Sequence, residues 1–559
     1  MRSLRPRGGQ LTDASLLYYT GRFVRTDLDC DGVSGTPDPA SAPEAMLIEH
    51  GTIVAIGSRD EVPAPAAATH IDLGEGWVLP GLIEPHGHPS ESASLMGNGV
   101  IDIRPVTLAR ADQVWDAIKI ALAASPRPPR VVANGWDPLL QPGLTPPTLA
   151  NLDALAGEVP LVIVHNSLHS AYFNTAAARE AGIDRNTPDP VGASFGRDSS
   201  GALTGLALEA AAVAQIVGPT LAAAEADMPR RLTTHLLELR RTRGITTIAD
   251  LTWNHQLGQL ATALAEAGSL PVRLRGYETS SPGATASVPL ENGDAWYRQV
   301  GIKIWSDGSP WVGNIATSFP YLDTAATRAL GFEHGHIGHA NYTTEQLIEI
   351  GSQYAGEGWQ FACHAHGDVA IDSTLDAYEA LITKFGLHDH RFRIEHCGLM
   401  TPAQFERAAR LGVAVSLFVD HITYWGDVIV DDLFGERGLA YADAGAAFAA
   451  GHRATFHNDG TVTPCEPLRN MAVAETRTSR TGRHLGGGSA VTRRDSLRAH
   501  TSNAAWQLRS EHEIGSLAPG LRADFAVIDV DPRSAAPEVL AEARVLATAV
   551  DGQLDTASA

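Results

Sequence analysis

Trp77-Val78-Leu79-Pro80-Gly81-Leu82-Ile83-Glu84-Pro85-His86-Gly87-His88 is an apolar run that ends on two histidines two residues apart. Side chains on a strand alternate with period 2, so His86 and His88 share a face and can reach one cation. Imidazole suits zinc or iron. The pair alone is a weak signal. Its weight comes from further apolar runs that end on, or carry, a residue able to ligate metal. Val300–Trp305 carries Lys303, Trp359–His364 ends on His364, Arg393–His396 on His396 and Arg453–Asp459 on Asp459. Repeated strands with functional residues at their carboxyl ends describe the active site of a (β/α)8 TIM barrel, an α/β fold. Helical patterns over Val369–Phe385 and Pro402–Leu411 fall between these runs.

Outward from the run, residues 15–75 read as short strands, Leu16–Thr20, Ala45–Glu49 and Thr52–Ile56, with a Gly-, Pro-, Ser- and Asp-rich loop at Asp27–Pro43. The C-terminus is again β-like at Phe525–Asp529 and Val545–Val550, after the turn signal Gly515-Ser516-Leu517-Ala518-Pro519-Gly520. Two β segments flanking a barrel are expected to pair into one small β-sandwich, because termini often lie close together. The expected division is 1–76 and 505–559 for the two parts of the sandwich and 77–504 for the barrel. About ten short apolar runs compete for the eight barrel positions. The surplus lies among Val131–Ala133, Leu161–Val164, Ile245–Ile248 and Val272–Leu274, and the sequence leaves the choice open. The stretch from about 90 to 240 exceeds an ordinary βα loop and is expected to be an insertion that lids the site.

A chain of 559 residues suffices for a large core and more than one domain. With 64 acidic and 42 basic residues the formal net charge is −22, which argues against nucleic acid or an anionic membrane as partner. The cysteines Cys30, Cys363, Cys397 and Cys465 form no CxxC pair, and two sit beside candidate ligands. They fit a reducing compartment and a cytoplasmic location. No apolar leader core follows Arg2, Arg5 and Arg7, and no apolar run reaches membrane-spanning length. A homodimer is the default expectation for assembly.

Hydrolysis at a divalent metal needs neutral imidazoles, carboxylates, an open position for water, and a base. His86 and His88 can hold one metal; His364 and His396 can complete that site or hold a second. Asp459 can ligate and take the water proton. Lys303 repels cations when charged, but a desolvated lysine loses its proton and can react with CO2 to give a bridging carbamate. Each residue alone has a plainer role: a core histidine, a Lys303 ion pair with Asp307 or Asp459, an Asp459 helix cap. Their joint order on strand ends is what points to a metal.

These stretches resemble the amidohydrolase superfamily and, within it, amidohydrolase family 3, the YtcJ-like group. Residues 78–88 resemble the PGxxDxHxH signature, Gly301–Gly308 the VKxxxDG, His364-Ala365-His366-Gly367-Asp368 the HaxGD, and Arg393–His396 the RxEH. His457-Asn458-Asp459 stands where GSD is usual, and Gly515–Val527 resembles the C-terminal GSLxPGxxADxxV. The resemblance implies that His86, His88, Lys303, His364, His396 and Asp459 are metal ligands. Lys303 would be the bridging, carbamylated residue and Asp459 the base. It also implies that His169, in a stretch similar to xxSGHxxxxNS, and His421, after Ser416, lie near the substrate. His366, Trp305 and Asp307 join them as substrate-site candidates. Three departures stand out. Glu84 replaces the usual Asp, His457 and Asn458 replace Gly and Ser, and His366 offers a second imidazole on the face of His364.

Trp253, Trp305, Trp311, Phe319, Tyr321, Phe418, Tyr424 and Trp425 cluster near the expected loop ends, and no Arg or Lys cluster suggests a polyanion pocket. The expected substrate is therefore a small, uncharged, partly aromatic molecule. The expected function is metal-dependent hydrolysis of its C–N bond, an amide, N-acyl or N-formyl group, with Zn2+ as the metal and Mn2+ or Fe2+ as alternatives, one or two per chain. Two other functions remain open: the same site acting on an ester, lactone or cyclic amide, and a non-catalytic metal-binding or regulatory protein. An intact Asp459 speaks against the second, because binding alone needs no base.

Overall fold

Strands buried on both faces read as near-continuous apolar runs, and eight such runs pair in parallel. They are β1 (Leu82–Gly87), β2 (Ile245–Trp253), β3 (Arg273–Thr279), β4 (Tyr297–Trp305), β5 (Gln360–Ala365), β6 (Arg393–His396), β7 (Ala414–Leu417) and β8 (Thr455–Phe456). Each pairs with its neighbours in chain order. The gap between β8 and β1 is bridged by two bonds: His88 N–H donates to Gly460 O at 3.1 Å, and Asn458 N–H to Glu84 Oε1 at 3.3 Å. The result is the expected TIM barrel. The computed structural model describes residues 16–24, 43–97, 99–287, 289–291 and 293–556. Arg2, Arg5, Arg7, Cys30 and the loop from Asp27 through Ala42 lie outside these.

Helices follow most strands. His255–Glu266 follows β2, Thr344–Ser352 precedes β5, Asp368–Phe385 follows β5 and Pro402–Arg410 follows β6. Thr401 caps the last of these, its hydroxyl accepting from Gln404 N–H. Between β3 and β4 no helix occurs among the described residues. At the amino end of the barrel, Ile83, Ala249, Val300 and Ala362 pack against Ala504, Ala505, Leu508 and Ile514. Gln507 Nε2 there donates to Val415 O and Arg453 O.

The surplus runs now sort themselves. Ile245–Ile248 belongs to β2, and Arg273 and Leu274 open β3. Val131–Trp136 and Leu161–His165 are central strands of a separate six-stranded sheet lying between β1 and β2 in the chain. That sheet spans Val100 to Leu208 and is followed by helix Ala210–Glu225, so the insertion has its own core. Helix Met228–Arg243 belongs to the barrel instead, with Leu232 and Leu236 packed among Ile245, Ile248 and Leu274.

The N- and C-terminal segments do come together, hydrogen-bonded as one seven-stranded sheet. Its centre is Thr69–Pro80, which pairs in parallel with Leu16–Phe23 and antiparallel with Phe525–Ile528. Trp77–Pro80 therefore lie in the terminal sheet, and the barrel starts at Leu82. Gly81 makes the passage between them: a Cβ there would run into Thr246.

Candidate metal centre

All six candidate ligands stand at the carboxyl end of the barrel, where the loops of this fold carry function. Asp459 Oδ1 lies 3.2 Å from His86 Nε2 and 2.9 Å from His88 Nε2. Lys303 Nζ lies 3.1 Å from His86 Nε2. The rings of His86 and His396 are 4.7 Å apart, and those of His364 and His396 4.3 Å. Three groups lie within metal-holding distance: His86, His88 and Asp459; His364, His366 and His396; and His86, His396 and His457. His86, His88, Lys303, His364, His396 and Asp459 line a single cavity of ≈ 90 Å³.

Second partners fix the ring tautomers. The His86 Nδ1–H donates to Glu395 Oε2 at 2.6 Å, which leaves Nε2 for a metal. Glu395 is itself gripped by Arg393, whose Nη2 donates to Oε2 at 2.9 Å. His364 Nε2–H donates to Gly308 O at 2.8 Å, freeing Nδ1. His396 Nδ1 is 3.0 Å from His457 Nε2, and His457 Nδ1 is 2.8 Å from Ser416 Oγ. His396 Nε2 and Asp459 Oδ1 are buried with no aligned hydrogen-bond partner among the described residues. Buried polar atoms are seldom left so, and three neutral imidazoles with a carboxylate suit a divalent ion. The residues present fit the metal.

Burial dominates the electrostatics. Desolvation lowers His86, which nearby Lys303 reinforces, and holds His364, His366, His396 and His457 well below the usual imidazole range. Burial pushes Lys303 down to about 8, against the pull of Glu395 and Asp459. Burial alone would lower His88, but the Asp459 carboxylate outweighs it and raises the group. For Asp459 burial acts upward, and His86 and His88 together overcome it and hold the carboxyl well below its ordinary range. Neutral imidazoles at His86, His364 and His396, a dischargeable lysine and an ionised aspartate are the states a metal requires.

The remaining candidates divide. His169 and Trp305 line the cavity. His366 stands behind His396, rings 4.6 Å apart and stacked, its Nδ1 3.1 Å from Tyr441 Oη. His364 is thus the one of the two that faces the cavity. Asp307 accepts the backbone N–H groups of His366 (2.9 Å) and Gly367 (2.8 Å), so it shapes the turn after β5. His421 stacks on Phe418 at 3.7 Å and stands off the cavity wall. Glu84 touches backbone rather than ligand side chains: its carboxyl accepts from the N–H groups of Asn458 and His86 and lies 3.3 Å from Cys465 Sγ. Glu395 and His457 are the side chains that partner the ligand rings of His86 and His396; in the sequence His457 stands out only as a departure and Glu395 is not singled out. Glu395 alternates with Arg393 on one strand face, a buried ion pair next to a candidate ligand, and that was its signal.

The aromatic residues are mostly core. Trp311, Tyr321, Phe418 and Trp425 pack on one another, and Trp253 donates to Tyr297 Oη at 2.9 Å. The cavity wall is aliphatic instead, built by Ala210, Val213, Ala214, Val217 and Leu221 of helix Ala210–Glu225. Beyond it lies a chamber of ≈ 1240 Å³ that shares Glu91, Ala214, Thr252 and Trp305 with the cavity. Among the described residues its lining includes Glu91, Glu209 and Glu225 but no Arg, Lys or His.

The sequence profile of the amidohydrolase family matches residues 69–554. An N-substituted formamide deformylase of Arthrobacter pascens is 28% identical over 538 residues, covering 92% of this chain and 95% of that one. The Arabidopsis thaliana protein LONG AFTER FAR-RED 3 is 25% identical, covering 99% of this chain and 93% of that one. Among solved structures, an uncharacterized metal-dependent hydrolase from Pyrococcus horikoshii OT3 superposes with a TM-score of 0.69 at 22% identity, covering 94% of this chain and 99% of that one. With the profile spanning most of its length and the histidines, lysine and aspartate converging in one barrel mouth, the chain belongs to the amidohydrolase family.

Proposed function

We propose that this protein is a metal-dependent hydrolase of a C–N bond, an N-acyl or N-formyl group on a small uncharged molecule. The observation that carries the reading is the convergence of His86, His88, Lys303, His364, His396 and Asp459 on one cavity. A bound divalent metal, Zn2+ in this reading, supplies a polarised carbonyl and a water acidic enough to ionise near neutral pH. His86, His88, His364 and His396 would hold it, with His86 Nδ1 and His364 Nε2 already engaged by Glu395 and Gly308 O. Asp459 accepts the proton of the attacking water. Lys303, low in pKa through burial, is the amine that CO2 would carbamylate, giving an anion between the two histidine groups. Glu395 and His457 orient His86 and His396.

The aliphatic wall and the cation-free chamber support an apolar, non-anionic substrate, whose aromatic contacts come from Trp305 and Tyr342. The relative that acts on N-substituted formamides supports the bond type by analogy. The cytoplasmic setting remains part of the reading, in keeping with the free cysteines Cys363, Cys397 and Cys465. No helix among the described residues is long and apolar enough to cross a membrane.

The test is release of amine from a panel of N-formyl and N-acyl alkylamines by metal-loaded protein, with matched esters alongside. Amine release that is lost on metal removal and restored by zinc or manganese supports the reading. Turnover of esters alone would replace it.

A further inference from the structure

His169 enters the cavity from the insertion, its ring 5.0 Å from that of His364. Its Nδ1 lies 2.7 Å from Glu209 Oε2, while Glu209 Oε1 accepts a 2.8 Å bond from Asn314 Nδ2. A carboxylate only accepts, so the proton of the shared bond sits on Nδ1. In the neutral ring Nε2 then carries a lone pair, and it has no hydrogen-bond partner among the described residues.

Glu209 is held firmly. It is 4% exposed, and its N–H donates to His169 O at 2.7 Å. Its backbone has φ 66° and ψ 158°, a region that only glycine enters freely. Such strain persists where the surroundings over-determine a conformation, and it clusters at functional sites. Gly308, in the loop after β4, has no room for a Cβ because of the Glu209 carboxyl. The insertion and the barrel thus meet on this carboxylate, and what it orients is one imidazole in the cavity.

We propose that His169 is a specificity-determining residue that accepts the N–H of a secondary amide or formamide, and that Glu209 is the positioning residue that fixes its tautomer. The inference rests on the amide-hydrolase reading above. A tertiary amide has no N–H and would set an alkyl group against the Nε2 lone pair. An ester would oppose it with oxygen lone pairs. A site that must hydrogen-bond its substrate rejects an analogue lacking the donor far better than an apolar site rejects one by size. Glu209→Gln inverts the device. With Asn314 Nδ2 holding the amide oxygen, the Gln amino group faces Nδ1 and drives the imidazole proton to Nε2.

The test compares kcat/KM of the metal-loaded protein on N-hexylformamide, N-hexyl-N-methylformamide and hexyl formate, whose alkyl chain suits the aliphatic wall. Wild type is expected to prefer the N–H formamide over its N-methyl analogue by about 100-fold. His169→Leu and Glu209→Gln are expected to lower that ratio by about 10-fold or more, and Glu209→Gln to gain on the formate. Nitrogen NMR of the His169 ring in the same holoproteins is expected to show Nδ1–H in wild type and Nε2–H in Glu209→Gln, which a merely structural role would not produce. Equal losses on all three substrates, or an unchanged tautomer in Glu209→Gln, would overturn the proposal. Should His169→Leu fail to fold, His169→Gln and the NMR readout decide. Wild type that turns over only the formate, or none of the three, removes the amide reading itself, a failure visible before any variant is made.

Discussion

Asp459 stands within 3.2 Å of His86 Nε2 and His88 Nε2, and those imidazoles keep it ionised. As base, it should be replaceable in shape but not in chemistry. Asp459→Asn is expected to retain metal, read by elemental analysis, while hydrolysis falls by about 10²-fold or more. Full activity in that variant would place the base elsewhere. Glu84 makes a different prediction. Burial raises its carboxyl from 4.5 to about 8. A folded pKa above the unfolded one means the native state binds the extra proton, so its stability falls as pH rises from about 4.5 to 8. Glu84→Gln, which mimics the protonated form, should gain on wild type by about 1.4 kcal/mol per pH unit at most across that window. Denaturant titrations of metal-free protein at pH 5 and pH 8 check it; a difference independent of pH would refute it. The ligands were legible because each stands at the end of, or within, a short apolar run. Their supports were not, because His86 meets Glu395 across 309 residues of sequence, a pairing only barrel closure creates.

At the scale of the element, β6 shows why alternation alone misleads. Glu395 and His396 are adjacent, so a regular strand would send them to opposite faces. His396 and Cys397 instead have φ 72° and 53°, which turns the chain at the strand end and lets both residues serve the site. Glu395→Gln keeps the size of the side chain but weakens its hold on His86 Nδ1–H. Metal affinity, measured by competition with a chelator, is expected to fall about 10- to 100-fold. Unchanged affinity would mean that Glu395 serves only Arg393. The aromatic residues mark the limit of periodicity and composition. Trp311 and Trp425 stack at 4.7 Å in the core, whereas the cavity wall is the alanine- and valine-rich helix Ala210–Glu225, which no chemical motif marks. Ala214 lines both the cavity and the outer chamber. Ala214→Trp should therefore raise KM for long-chain substrates by about 10-fold and leave the shortest formamides little changed; equal KM shifts would show that substrates do not pass there.

For the whole molecule, the terminal sheet ties both ends of the chain to the barrel. Phe525–Ile528 lies between Thr69–Pro80 and Val545–Val550, and buried Arg273 of β3 pairs with Asp524 at 2.7 Å and with Asp551 at 2.6 Å. Removing residues from 523 onward strands that arginine charge and exposes the sheet centre. The shortened chain is expected to lose its cooperative unfolding transition by circular dichroism; a native-like transition would show that the barrel stands alone. The flanking β segments and the barrel were legible from hydropathy and turn signals. The six-stranded sheet of the insertion was not, because Val131–Ala133 and Leu161–Val164 read like barrel strands, and only pairing tells two sheets apart. The central claim is a metal centre built by six residues of this barrel mouth. Its most direct test is elemental analysis of protein purified without chelators, beside Lys303→Ala. The account predicts about two equivalents of divalent metal per chain, falling in the variant, or about one if the site is mononuclear. No metal, and no uptake on adding zinc or manganese, would contradict it.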